Sequence, residues 1–424
     1  MNFDSTSPTV KGVTPSVSFS GTVNGGIVTV QNISTQRITS VQLSLANVLG
    51  IAGSLSASVL MGDYGGTRQK MAAGLWSTNG VHCPVTAWED ADKSGVAWVW
   101  DDNILPSGME FWVNPPINGA STTAQALLNF GVSLDPGKSI SFTFEQLSGA
   151  NIVEQMLNAY RARVNATLAA NGVSAGSPVK ASGMWLSSGW QPDPVAYAAS
   201  MASYATRLMM WSPPDGQGWY EYLQPRLAWW PQTKMNPAIP IGGLMSPAGS
   251  PRIDQTAAHW ALDQKFAANR VLPAVISDPD VQAYALAVRN EFVAKGFDLA
   301  FWDVGQPYGG TMYDLLQTHQ ASKAAGLPLL SEAYSPITAS IAGVALKYYY
   351  GGYTWDRATW TREIHIAICP DVPFVAGLGG DATSIGNFVS GGINAWDDLM
   401  DSGVIPMVPD WAFGAFLAKQ GPWS

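Results

Sequence analysis

Charge is scarce in this chain. Of 424 residues, 22 are Lys or Arg and 31 are Asp or Glu, 12% in all, and the net charge is −9. No Lys/Arg cluster interrupts that acidic balance, so the chain lacks the basic footprint that grips a phosphate backbone, and nucleic-acid binding is set aside. Hydrophobic residues reach 47%, yet no apolar run is long enough to span a bilayer, which excludes membrane insertion by a helix. Histidine is rare: His82, His259, His319 and His365 are scattered and form no H-x-x-x-H pair, so no metal site is expected. The two cysteines, Cys83 and Cys369, fit no zinc spacing and are expected to be buried free thiols. No G-x-S-x-G elbow is present, which argues against an esterase. The N-terminus, MNFDSTSPTVKGVTPSVSFSG, lacks the basic start and apolar core of a secretory signal. The expectation is a cytoplasmic chain, a virion-associated chain such as a phage protein, or a mature secreted form.

Aromatic residues, by contrast, are abundant: 18 Trp and 14 Tyr, many beside Gly, Pro, Ser or Asp, where they suit rims as well as cores. Up to residue 150 the chain reads as short strands, VSFSG, GIVTVQN, ITSVQLSL, GVAWVWDD, MEFWVNPP and SLDPGKSISFTFEQL. In the last, a Pro-Gly turn precedes Ile140, Phe142 and Phe144 alternating with Ser141, Thr143 and Glu145, a β-sandwich pattern. Residues 151–176 are expected to be a helix, with Ile152, Met156, Tyr160 and Val164 on one side, followed by a loop. From 177 to 424, eight apolar runs alternate with helical segments: KASGMWLSSG, TRLMMWSP, AIPIGGLMSP, FDLAFWDVG, LPLLSEAY, VALKYYYGG, PFVAGLGG and GVIPMVPD. This predicts an α/β fold, a (β/α)8 TIM barrel preceded by an antiparallel β-sandwich. An open doubly wound sheet is the rival, but SSGWQPDP stands where its glycine-rich phosphate loop would follow the first strand.

A barrel of this kind places its chemistry at the C-terminal ends of the strands. Those ends offer Trp185, Trp190, Trp211, Asp303, Glu332, Tyr334, Trp355, Asp356, Asp381, Asp410 and Trp411, with Trp302 directly before Asp303. The loop WSPPDGQGWYEYLQPRLAWWPQ adds Trp219 and Trp230. Carboxylates among aromatics suit a sugar, whose C–H faces stack on rings while its hydroxyls need acceptors. A glycosidic bond can be cut by two carboxyl groups alone, one ionised and one protonated at the same pH. Asp303 and Glu332, on successive strand ends, form such a pair. Trp185 and Trp302 read equally well as core, and Glu332 could instead pair with Arg357 or Arg362. Asn32 and Asn165 each begin an N-x-S/T sequon.

The segment GFDLAFWDVGQ, followed by LLSEAY, resembles the fourth and fifth strand ends of retaining α-glycosidases of the broad α-amylase-like group. The layout is also similar to that of endo-α-N-acetylgalactosaminidases, which place a β-sandwich ahead of the barrel. This resemblance implies Asp303 as nucleophile and Glu332 as general acid/base. Phe301 stands where the longer amylase signature has an Arg. A second resemblance, to α-galactosidases, keeps the nucleophile and implies Asp356, in YYYGGYTWDR, as the acid/base. The expected function is a glycoside hydrolase of the retaining type, acting on a polysaccharide or glycoconjugate without cofactor or metal. Trp185, Trp190, Trp211, Trp219, Trp230, Trp302, Tyr334, Trp355 and Asp381 are the expected substrate contacts. The alternative is a non-catalytic carbohydrate-binding or virion structural protein on the same scaffold.

Overall fold

The computed structural model describes residues 2–3, 15–22, 25–48, 58–63, 68–70, 74–79, 81–100, 108–114, 123–170, 183–188, 193–210, 241–245, 286, 289–290, 292–294, 296–302, 319–331, 336–349, 360–378 and 405–410. The chain divides into two compact units. One comprises Met1–Asn171, Pro307–Asp314 and Ala358–Ile368; the other comprises Gly172–Gln306, Leu315–Arg357 and Cys369–Ser424. Among the described residues, no helix is long and apolar enough to cross a membrane.

The first unit holds two antiparallel sheets. The five-stranded sheet runs β1 (Asn2–Phe3), β4 (Ile38–Val48), β11 (Thr123–Leu134), β10 (Gly108–Asn114), β7 (Gly74–Asn79). The seven-stranded sheet runs β2 (Pro15–Thr22), β3 (Gly25–Asn32), β12 (Ser139–Gly149), β9 (Gly95–Trp100), β8 (Val81–Glu89), β5 (Ser58–Asp63), β6 (Arg68–Lys70). The chain changes sheets at Asp135-Pro136-Gly137-Lys138, where Lys138 N–H donates to the Asp135 carbonyl at 3.0 Å and Gly137 takes φ +77°. Pro at the second position and a left-handed Gly at the third are what a type II turn demands. On β12 the expected alternation is present: Phe142 and Phe144 are buried while Ser139 and Ser141 are exposed. The Phe142 ring lies 4.6 Å from that of Phe130 on β11, so the two sheets meet through this pair.

Asn32 ends β3 fully buried, and its side chain is saturated. Its Nδ2 donates to the carbonyls of Gln36 (2.7 Å) and Leu134 (2.8 Å), and its Oδ1 accepts from Ser34 N–H (3.0 Å) and Ser34 Oγ (2.7 Å). Helix α1 (Ile152–Ala170) buries Ile152, Met156, Tyr160, Val164 and Leu168, a strict four-residue spacing, against β8, β9 and β12. Each such side chain contributes about 1.5–3 kcal/mol by burial. The half-exposed Arg163–Glu145 pair beside them, at 3.1 Å, adds well under about 1 kcal/mol.

The second unit holds an eight-stranded, wholly parallel sheet. Its strands are β13 (Trp185–Ser188), β14 (Arg207–Met210), β15 (Ile241–Met245), β16 (Leu299–Trp302), β17 (Leu329–Ser331), β18 (Ala345–Tyr349), β19 (Phe374–Leu378) and β20 (Ile405–Pro409). Each of the eight apolar runs supplies one strand. Their spatial order is β17-β16-β15-β14-β13-β20-β19-β18. Chain neighbours are therefore sheet neighbours, except for β17 and β18, which stand at opposite ends of the order, while the first strand, β13, pairs with the last, β20, as well as with β14. Residues of β14 and β20 are buried throughout, as expected of parallel strands covered on both faces.

Three of the returns from helix to strand use a left-handed glycine. Before β16, Gly296 (φ +90°) donates to the Val293 carbonyl and Phe297 donates to Phe292, while the Phe292 and Phe297 rings stack at 4.6 Å. Before β17, Gly326 (φ +82°) donates to Lys323 and Leu327 donates to Ser322. Both are Schellman caps, in which a left-handed glycine satisfies the last carbonyls and turns the chain toward the strand. Before β18, Gly343 (φ +75°) makes the single bond of the simpler form, to Ala339. Cys83 and Cys369 are both buried and unbridged.

Candidate active site

A parallel sheet has two chemically distinct rims, because all strands begin on one side and end on the other. The N-terminal rim holds a buried charge. Arg207, the first residue of β14, is 1% exposed; its guanidinium lies 5.1 Å from the centre of the Trp185 ring and grips both carboxylate oxygens of Asp298, one through Nη1 and the other through Nη2 at 2.9 Å. A forked, charge-assisted pair of this kind is the strong form of the interaction. Trp185 is the first residue of β13 and is fully buried. It stands at the rim opposite the one expected for a sugar platform and serves as a packing surface for Arg207. The sequence could not separate these roles, because a four-residue strand gives no sign of which end its ring occupies.

The C-terminal rim is hydroxylic and acidic. Strands β13 and β20 pair with Ser187 opposite Pro409, so Ser188 and Asp410 come next side by side. Ser188 Oγ donates to Asp410 Oδ2 at 2.8 Å. Helix α2 (Pro194–Met201) starts six residues after the end of β13; Asp193 caps it, Oδ1 accepting from Ala196 N–H at 2.9 Å, and Pro194 occupies its first turn. Both residues are favoured there, since the cap satisfies an otherwise orphaned donor and proline has no donor to lose. One turn on, Tyr197 is half-buried and shares a hydrogen bond with Ser188; burial first, then the negative charge of Asp410, holds its phenol above the usual value, while the Ser188 bond pulls the other way. Asp410 is among the rim residues picked out by the sequence. Ser188 and Tyr197 were missed, and only the Asp-Pro helix start ahead of Tyr197 hinted at them.

Strands β16 and β17 pair with Ala300 opposite Leu329, Phe301 opposite Leu330 and Trp302 opposite Ser331. Trp302 ends its strand, and its side chain is outside the described residues. Asp303 and Glu332 are the next residue on each chain and, with Trp190, Trp211, Trp219, Trp230, Tyr334, Trp355, Asp356, Asp381 and Trp411, also lie outside the described residues. Among the described residues, no group of three or more His, Cys, Asp or Glu is placed to hold a metal ion. His319 is wholly buried, and desolvation lowers its pKa to about 3.

No family model matches the chain, and no curated protein does. Among solved structures, the ligand-free α-N-acetylgalactosaminidase NagBb from Bifidobacterium bifidum is similar at 11% identity and a TM-score of 0.45, covering 93% of this chain and 87% of that one. Its GalNAc complex gives 12% identity and a TM-score of 0.48, with coverage of 94% and 82%. A β-arabinopyranosidase gives 9% identity and a TM-score of 0.30, covering 77% of this chain and 59% of that one.

Proposed function

We propose that the chain is a glycoside hydrolase whose second unit is a closed (β/α)8 barrel, with a β-sandwich ahead of it, cleaving a polysaccharide or glycoconjugate with retention of configuration. The observation that carries the reading is the register of β16 and β17. Trp302 and Ser331 are paired across neighbouring parallel strands, about 4.8 Å apart, and Asp303 and Glu332 follow each by one peptide unit of about 3.8 Å. Covalent geometry alone then keeps their Cα atoms within roughly 12 Å. That bound admits the carboxyl separation of about 5–5.5 Å used by retaining enzymes. The circular strand order supports closure between β17 and β18, and the N-terminal rim is occupied by the buried Arg207 and Trp185, which favours the other rim for substrate.

In this reading Asp303 attacks the anomeric carbon while Glu332 gives its proton to the departing glycosidic oxygen. A covalent glycosyl-enzyme results. Glu332, now ionised, takes a proton from water, whose oxygen attacks the anomeric carbon and releases Asp303. Asp356 is the alternative acid/base, and Trp190, Trp211, Trp219, Trp230, Trp302, Tyr334, Trp355 and Asp381 are the proposed sugar contacts. The test is release of reducing ends from a glycan panel by wild type, Asp303→Asn, Glu332→Gln and Asp356→Asn, each shown to be folded. The expectation is activity in the wild type and loss of at least about 10²-fold in the first two variants. Full activity in both sinks the assignment, whereas glycan binding without cleavage by the wild type makes the chain a carbohydrate-binding protein.

A further inference from the structure

The outer strands of the two antiparallel sheets are not alike. β1 has two residues, β6 has three, of which Arg68 and Lys70 are charged, and β7 has six, whereas β2 has eight and carries no charge. Short length and charge keep an open edge from pairing with another chain; β2 has neither. It pairs with β3 in unbroken register along its whole length, and among the described residues no strand pairs with its other edge. The direction of its backbone groups follows from Asn32. Asn32 N–H donates to the Lys138 carbonyl at 2.9 Å, and its own carbonyl accepts from Gly137 N–H at 2.7 Å. Both groups thus face away from β2, and Pro15, paired with Asn32, has no N–H to offer. That pair is of the non-hydrogen-bonded kind, and in an antiparallel ladder the two kinds alternate. Ser16 and Ser18 therefore bond to β3, while Val17 and Phe19 turn N–H and C=O to the open edge. Val17 is only half-buried although its partner Val30 is wholly buried, because the open edge leaves its flank uncovered.

We propose that β2 is the interface of a symmetric dimer, pairing antiparallel with β2 of a second copy of this chain about a two-fold axis at Ser18. That register is self-complementary. Ser18 faces Ser18 of the second copy, Ser16 faces its Ser20 and Val17 faces its Phe19. Val17 and Phe19, whose backbone groups point outward, exchange hydrogen bonds on either side of the axis. The side chains agree with the backbone. Ser16, Ser18 and Ser20 are all exposed, so two copies of a chain with net charge −9 meet here without opposing like charges. On the same face Ser18 pairs with Thr29 and Thr29 with Ser141, and the hydroxyls of the last two lie 2.9 Å apart. This row of hydroxyls reaches the open edge at Ser18, and in the dimer it runs on through Ser18 of the second copy, adding a cross-strand hydroxyl pair of the stabilising kind. The two seven-stranded sheets become one, and the edge disappears. The inference concerns the first unit alone and holds whether or not the chain cleaves glycans.

The test combines disulfide cross-linking with sedimentation of the full chain. Opposed residues of a non-hydrogen-bonded pair have Cα atoms about 4.5 Å apart, within the span of a disulfide, so Ser18→Cys should form a disulfide-linked dimer on mild oxidation. Ser16→Cys alone, whose two copies would stand roughly 14 Å apart, should not, whereas a mixture of Ser16→Cys and Ser20→Cys should. The wild type, whose Cys83 and Cys369 are both buried, is the blank. In sedimentation the wild type should be dimeric at about 100 μM, the weak range of a small interface. Val17→Pro removes two outward N–H groups per dimer and no ladder bond within the chain, and should raise the dimer dissociation constant at least about tenfold. Ser18→Lys, at an exposed position, should weaken the dimer too by setting like charges face to face, and it serves alone if Val17→Pro does not fold. A monomeric wild type at that concentration overturns the proposal. So does a wild-type dimer in which Ser18→Cys fails to cross-link, or in which Ser16→Cys alone cross-links as readily. A dissociation constant unchanged in the folded variants also overturns it, since the dimer then uses another surface.

Discussion

Acidification should weaken the fold through His319. Its imidazole is wholly buried, and desolvation lowers its pKa to about 3, against about 6.5 in an unfolded chain. The folded state therefore prefers neutral His319, and the stabilisation is fully present above the unfolded value. As pH falls below about 6.5, the unfolded chain takes up a proton that the folded chain refuses, and each further unit lowers the folding constant tenfold until about pH 3. At pH 4.5 the loss is about 100-fold, or about 3 kcal/mol, a large share of the stability of an ordinary domain. Other groups titrate over the same range, so the measurement is a difference: urea denaturation of wild type and His319→Gln from pH 7 to 4.5. The wild type should lose about 100-fold more in its folding constant than the variant. Parallel pH dependences for the two proteins would refute a neutral buried imidazole.

Asn32 should carry no glycan in a glycosylating host, because its amide is consumed by two carbonyls in a fully buried site, whereas Asn165 is exposed on α1; peptide mass spectrometry checks which sequon is used. Asn32→Ala should cost about 1–3 kcal/mol by stranding the Gln36 and Leu134 carbonyls, read from denaturation midpoints. Gly326→Ala should cost about 1–2 kcal/mol from the left-handed backbone alone, since a Cβ there meets nothing within 4 Å. Gly183→Ala should cost more in the same assay, because its added carbon would lie 2.7 Å from Thr206 Cγ2. Arg207→Ala should destabilise by roughly 1.5–3 kcal/mol, by removing a buried cation that packs on Trp185 and holds the half-exposed Asp298; Arg207→Lys should recover only part of this, as a point charge cannot fork.

What could be read from the sequence follows the physics of each element. Short buried parallel strands announce themselves as apolar runs bounded by Gly and Pro, so all eight strands of the second unit were visible. In the first unit, β8 was missed because Pro84 interrupts VHCPVTAWE. Pro84 lies beyond the β8 residues that pair with β9, beside an irregularity in the pairing with β5, one of the places where a sheet tolerates proline. The abundance of tryptophan suggested rims, yet Trp88 and Trp98 are core residues whose rings meet edge-on at 4.5 Å. The Ser188–Asp410 contact joins residues 222 positions apart. No local pattern encodes it; it exists because the first strand lies beside the last.

The repeated left-handed glycines have a further consequence, for how such a chain can change over evolutionary time. Where the Schellman caps of Gly296 and Gly326 deliver the chain, the strand begins three residues later. At the opposite rim, five residues, 189–193, separate the end of β13 at Ser188 from the start of α2 at Pro194. The entropy of closing a loop grows only with the logarithm of its length, so insertions at that rim cost little, while the glycine returns tolerate almost none. Variation is thereby channelled to one side of the sheet, and that rim can be rewritten without disturbing the frame beneath it.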